Sequence, residues 1–182
     1  MISIVIGKSN TGKSELAEKL ALETGDEKIY YLATMNVMDD AGRKRVEKHR
    51  RQREGKGFIT IERQKDIAGI LDGKPDANRS TVLLECIANL VSNYIFDDPG
   101  FDVNACDPEK ACDDIASIAA NEVKALSEKV NNLIIVTNEY DWDSEGYDDA
   151  TRFYVRTLSR TNELIAAFCD EVHDLLKQFE GK

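Results

Sequence analysis

The stretch Ile2-Ser3-Ile4-Val5-Ile6-Gly7-Lys8-Ser9-Asn10-Thr11-Gly12-Lys13-Ser14 decides the fold. Ile2–Ile6 is a short apolar run that reads as a strand. Gly7 to Ser14 fits Gly-x-x-x-x-Gly-Lys-[Ser/Thr], and a helical pattern, Ser14–Glu23, begins where the motif ends. Strand, glycine turn and helix in that order form the context in which this spacing is a phosphate-binding loop, or P-loop. Gly7 and Gly12 let the backbone curl so that successive N–H groups point inward, with Lys8, Ser9, Asn10 and Thr11 forming the arc between them. The following helix start adds partial positive charge. Lys13 then reaches the β and γ phosphates, and the Ser14 hydroxyl ligates Mg²⁺.

Outward from this motif, short apolar runs alternate with longer helical patterns. Lys28–Leu32, Phe58–Ile61, Thr81–Leu84 and Leu133–Thr137 are mostly continuously hydrophobic, as strands covered on both faces are. Helices are expected at Asp113–Val130 and at Asp148–Val172, and residues 173–179 read as continued helix, with His173 on its solvated side. Asp107-Pro108 reads as a helix start. The expectation is an α/β protein, a P-loop NTPase-like three-layer sandwich with a mostly parallel sheet, in one nucleotide-binding domain over residues 1–182.

Charge and cysteine content narrow the function. The 182-residue chain has 34 acidic and 24 basic side chains, a formal charge of −10, which disfavours nucleic acid and anionic membranes as partners. No apolar run approaches the roughly 20 residues that span a bilayer, and the N-terminal run has neither the basic flank nor the cleavage site of a signal peptide, so a cytoplasmic protein is expected. Cys86, Cys106, Cys112 and Cys169 lack metal-ligand spacing and a disulfide framework, and Cys86 and Cys169 read as core filler.

Against this acidic background, residues 43–53 hold seven of the 24 basic side chains: Arg43, Lys44, Arg45, Lys48, Arg50, Arg51 and Arg53. His49 lies among them. Neighbouring cations depress an imidazole's pKa and favour its neutral form, which can attack the α-phosphorus of a bound triphosphate. The same charges also fit an amphipathic helix over residues 41–53 with a solvated basic face, and both readings stand. An acid at a strand end is expected to ligate the nucleotide's magnesium. Glu85, after Thr81–Leu84, and Glu139, after Leu133–Thr137 and Asn138, both qualify.

The motif order then matches a known family. After the P-loop come Tyr31-Leu32-Ala33-Thr34, Arg45-Val46-x-x-His49-x-x-x-Arg53 and Phe58-x-Thr60-x-Glu62. Leu83-Leu84-Glu85-Cys86, Val136-Thr137-Asn138-Glu139, Arg160-x-Asn162 and Asp170-Glu171-Val172 follow. This resembles the bifunctional adenosylcobinamide kinase / adenosylcobinamide-phosphate guanylyltransferases of cobalamin biosynthesis. The resemblance implies phosphorylation of adenosylcobinamide by GTP or ATP, then transfer of GMP from GTP through a guanylylated histidine, here His49. It implies that residues 7–14, Leu32, Ala33, Thr34, Arg50, Arg51, Gln52, Arg53, Glu62 and Glu85 line the guanine-nucleotide site. It further implies a corrinoid substrate and a homotrimer. The alternatives are a P-loop kinase or nucleotidyltransferase with one of the two activities, and a non-catalytic nucleotide-binding regulator. The family closes with a hydrophobic strand, which residues 173–179 do not resemble.

Overall fold

A computed structural model describes residues 1–36, 40–97, 107–140 and 146–176; the side chains of Ala41, Arg45, Lys48, His49 and Gln52 lie outside the described set. The strands are β1 (Ile2–Gly7), β2 (Lys28–Ala33), β3 (Phe58–Glu62), β4 (Ser80–Glu85), β5 (Asn132–Asn138) and β6 (Glu171–Asp174). The helices are α1 (Lys13–Glu23), α2 (Asp40–Arg53), α3 (Ile87–Phe96), α4 (Pro108–Ser127) and α5 (Asp149–Ala166). Among the described residues the strands form one sheet in the order β3-β2-β4-β5-β1-β6. Every neighbouring pair in it is parallel.

The continuous hydrophobicity of β1, β2, β4 and β5 follows from burial on both faces. Ile4, Leu32, Leu84 and Ile135 belong to the larger core cluster, which includes residues of α3, α4 and α5. Their sequence neighbours Val5, Tyr31, Leu83 and Val136 belong to the opposite cluster, with Ala17 and Ala21 of α1. Each fully buried Leu or Ile contributes roughly 1.5–3 kcal/mol by leaving water, so the two clusters together hold the three layers.

Helix starts follow local chemistry. The Asp107 carboxylate accepts from the N–H groups of Glu109 and Lys110, and Pro108 occupies the first turn, where its missing N–H costs nothing. Asp148 caps α5 by accepting from the Thr151 N–H at 2.7 Å.

Two expectations change in the structure. Residues 87–96, to which the sequence reading assigned no element, form α3, whose Ile87, Leu90, Val91 and Ile95 are buried. The helix expected at Asp148–Val172 ends at Ala166, and Glu171–Asp174 is a strand. It pairs with β1, Val172 beside Ile4 and His173 beside Val5, and Leu175 N–H donates to Ile6 O at 2.9 Å. The edge of β1 supplies backbone partners that a continued helix would have left unpaired. His173 is therefore a strand residue, its Nε2 3.2 Å from Glu171 Oε2.

Candidate functional site

The P-loop emerges from β1 at the carboxyl edge of the sheet, where ligands of open α/β sheets bind. The loop is tightly self-packed. A Cβ on Gly7 would lie 2.7 Å from Thr11 Oγ1 and 3.2 Å from the Lys13 side chain, so any larger residue must displace one or both of them. Gly12 precedes α1 with φ of 81°, in the left-handed region. No side chain caps α1 at Gly12, which suits the capture of an anion at this helix start. Thr11 Oγ1 and Lys13 Nζ both donate to Lys8 O, at 2.8 and 2.6 Å. Lys13 is 8% exposed. Burial lowers its pKa, against the opposing pull of Cys86, Glu85 and Glu15.

Ser14 Oγ donates to Glu85 Oε1 at 2.7 Å. Glu85 stands at the end of β4, whose register with β2 and β5 sets it beside Ala33 and Val136. Its other oxygen, Oε2, is buried with no hydrogen-bond partner among the described residues. The adjoining Tyr31 phenol is held well above its usual pKa, first by burial and then by the Glu85 charge. Glu139 points elsewhere. Its Oε2 accepts from Asn162 Nδ2 at 3.0 Å, and its N–H donates to Gly7 O at 3.2 Å. Of the two acids the sequence left open, Glu85 is the one that meets Ser14. The Ser14 hydroxyl beside an orphaned buried carboxylate oxygen is a donor set that fits Mg²⁺, a hard cation that prefers oxygen ligands.

A cleft of about 990 Å³ runs from the P-loop across the sheet edge to α2. Its lining includes Ser9, Asn10, Lys13, Ser14, Ala33, Glu62 and Glu85, together with Arg43, Val46, Arg50 and Arg53 of α2. Helix α2 is polar almost all round, so core burial does not hold it there. Two described contacts do. Arg50 pairs with Glu62 of β3. The Arg53 guanidinium lies 3.3 Å over the Tyr31 ring. Arg53 is only 7% exposed, and its Nε has no acceptor among the described residues, so a buried donor borders the cleft.

The other sequence candidates fall in three places. Gly7, Lys8, Thr11 and Gly12 shape the loop. Leu32 and Thr34 are fully buried, Leu32 in the core and Thr34 with its hydroxyl bonded to Cys86. Arg51 is exposed and pairs with Glu47 at 3.8 Å. His49 and Gln52 are helical residues of α2 whose side chains lie outside the described set. In sequence, His49 stands three residues after Val46 and four before Arg53, both of which line the cleft. Cys106 also falls outside the described residues. Cys86 reaches the cleft wall, where burial pushes its thiol up to about 11 and keeps it neutral. Cys86 and Cys169 are half-buried at the margin of the core, whereas Cys112 is buried within it.

Sequence reasoning missed Tyr31, Asn89 and Asn138 as cleft residues. Tyr31 reads as one more apolar strand position, and nothing local marks the face its ring takes.

The sheet, the loop and the cleft define a P-loop nucleotide-binding α/β protein. Residues 3–177 match the family model described as cobinamide kinase / cobinamide phosphate guanyltransferase, and the chain belongs to that family. Among curated relatives it is 31% identical to the bifunctional adenosylcobalamin biosynthesis protein CobU of Salmonella typhimurium, over 94% of this chain and 93% of that one. It is 28% identical to CobU of Escherichia coli, over 94% and 93%, and 26% identical to the bifunctional CobP of Pseudomonas aeruginosa, over 94% and 91%. No described helix is long and apolar enough to cross a membrane.

Proposed function

We propose that this chain phosphorylates adenosylcobinamide and then transfers GMP from GTP to adenosylcobinamide phosphate, with His49 carrying the GMP. The observation that carries the reading is the shared cleft: Arg43, Arg50 and Arg53 of the helix that contains His49 line the same space as Lys13 and Ser14.

In the first reaction the P-loop amides and Lys13 hold the triphosphate of GTP or ATP. The substrate hydroxyl oxygen bonds to the γ-phosphorus, the β–γ bridging bond breaks, and the hydroxyl proton leaves to solvent. In the second, a neutral imidazole nitrogen of His49 bonds to the α-phosphorus of GTP and pyrophosphate departs. A phosphate oxygen of the corrinoid then attacks that phosphorus, the N–P bond breaks, and adenosyl-GDP-cobinamide forms with the imidazole restored. Arg50 and Arg53 supply fixed positive charge along the cleft, where the departing pyrophosphate needs it. Mg²⁺ on Ser14 and Glu85 would neutralise phosphate charge when bound. We read the protein as a cytoplasmic, single-domain enzyme and, by family resemblance, as a homotrimer.

Intact-protein mass spectrometry after incubation with GTP and Mg²⁺ at mildly alkaline pH tests this reading. A GMP adduct in the wild type that disappears in His49→Ala is expected. A folded, GTP-binding wild type without adduct would leave a kinase and end the histidine route.

A further inference from the structure

We infer that Thr34 is a positioning residue for Glu85, holding the carboxylate at Ser14 rather than touching the nucleotide. This rests on the reading of Glu85 as the acid that holds the nucleotide's magnesium.

Thr34 follows the last ladder residue of β2, Ala33, which pairs with Glu85 of β4. Its N–H donates to Glu85 O at 3.1 Å. Its hydroxyl does two things at once, donating to Cys86 O at 2.7 Å and accepting from Cys86 N–H at 2.9 Å. The side chain thereby extends the β2–β4 pairing one residue past the end of β4, and the peptide group that follows the Glu85 Cα is held at both its C=O and its N–H. Cys86 O also accepts the Leu90 N–H at 3.1 Å, so the same knot anchors the start of α3.

Thr34 is itself held in place. Asn93 of α3, 4% exposed, donates from Nδ2 to Thr34 O at 2.8 Å and to Gln64 O at 2.9 Å. One buried amide thus gathers the chain just beyond β2 and β3. Thr34 is fully buried, and its hydroxyl proton and one of its lone pairs are engaged by Cys86. Its effect on a ligand therefore passes through the place it assigns to Glu85, which reaches Ser14 at 2.7 Å. Valine fits the same volume but leaves the Cys86 N–H without its partner in a buried place; serine keeps the hydroxyl.

The test is equilibrium binding of a fluorescent N-methylanthraniloyl-GTP to the full chain, in EDTA and across a magnesium titration. In Thr34→Val the half-saturating Mg²⁺ concentration should rise about fivefold or more, while affinity in EDTA stays within about twofold of wild type. Thr34→Ser should restore the wild-type magnesium response. Equal loss with and without Mg²⁺, or an unchanged magnesium response, overturns the assignment. If Thr34→Val does not fold, Asn93→Ala carries the same comparison, with a magnesium-specific loss expected and a uniform loss overturning it. Glu85→Gln separates the two levels: a normal magnesium response there removes the reading of Glu85 and the role of Thr34 with it. A shifted response in Glu85→Gln beside a normal one in Thr34→Val removes Thr34 alone.

Discussion

The guanidinium carbon of Arg53 sits 3.3 Å above the centroid of the Tyr31 ring. This stack joins the last residue of a basic, nearly coreless helix to a core strand of the sheet. It fixes the end of α2 beside the phosphate loop and leaves the Arg53 Nε without an acceptor among the described residues. A desolvated cation over an aromatic face is worth about 2 kcal/mol. Replacing Tyr31 with leucine keeps an apolar side chain but removes the π face. GTP affinity, measured by calorimetry, is expected to fall about tenfold, with a smaller loss in Tyr31→Phe, which retains the ring.

Gly7 marks the point of closest packing in the loop. Gly7→Ala would press a methyl against Thr11 Oγ1, 2.7 Å away, and against Lys13. Those two side chains must move to admit it, and with them the bonds they make to Lys8 O. Nucleotide binding should drop below detection at 1 mM ligand, on the order of a hundredfold loss, while far-UV circular dichroism stays native because the strain is confined to the loop.

In the proposed kinase step Lys13 supplies charge where phosphoryl transfer develops it. Lys13→Ala is expected to reduce the rate of cobinamide phosphorylation by about 10²- to 10³-fold, read from single-turnover kinetics. Burial already costs the ammonium in the free protein, so the substitution should leave thermal stability unchanged or slightly raised.

Asp26 makes the fold sensitive to acid. Burial acts to raise its pKa. Hydrogen bonds from Thr81, Asn131 and Asn132 and the nearby N-terminal ammonium outweigh that, and the net shift is downward from 3.8. A carboxylate whose folded pKa is depressed adds stability above its unfolded pKa and loses it as pH falls through the folded value. The Asp26 contribution is thus complete at neutral pH and fades below about pH 4. In urea titrations Asp26→Asn should be less stable than wild type at pH 7, and the gap should close towards pH 3.

The sequence alone carried β1, β2, β4 and β5, because a strand covered on both faces must be apolar throughout and such runs are visible without any partner; the edge strand β3, with Ile59 exposed, showed through its Phe and Ile content instead. It carried the phosphate loop as well, since glycine, lysine and serine at that spacing answer to local backbone geometry. The capped start of α4 at Asp107-Pro108 was legible for the same reason. Three things needed the folded chain. Glu171–Asp174 has no strand pattern of its own and becomes one only because β1 offers an open edge of N–H and C=O groups. α3 is a short apolar segment whose periodicity does not declare a helix until it lies against α4 and α5. Residue pattern alone did not rank Glu85 against Glu139, though the family resemblance named Glu85; the distances across the sheet do rank them, with Ser14 2.7 Å from one acid and Asn162 3.0 Å from the other. Composition and local pattern determine what a segment can bury or bend into; which side chains meet across 71 residues of chain, as Ser14 and Glu85 do, is decided by strand order and register.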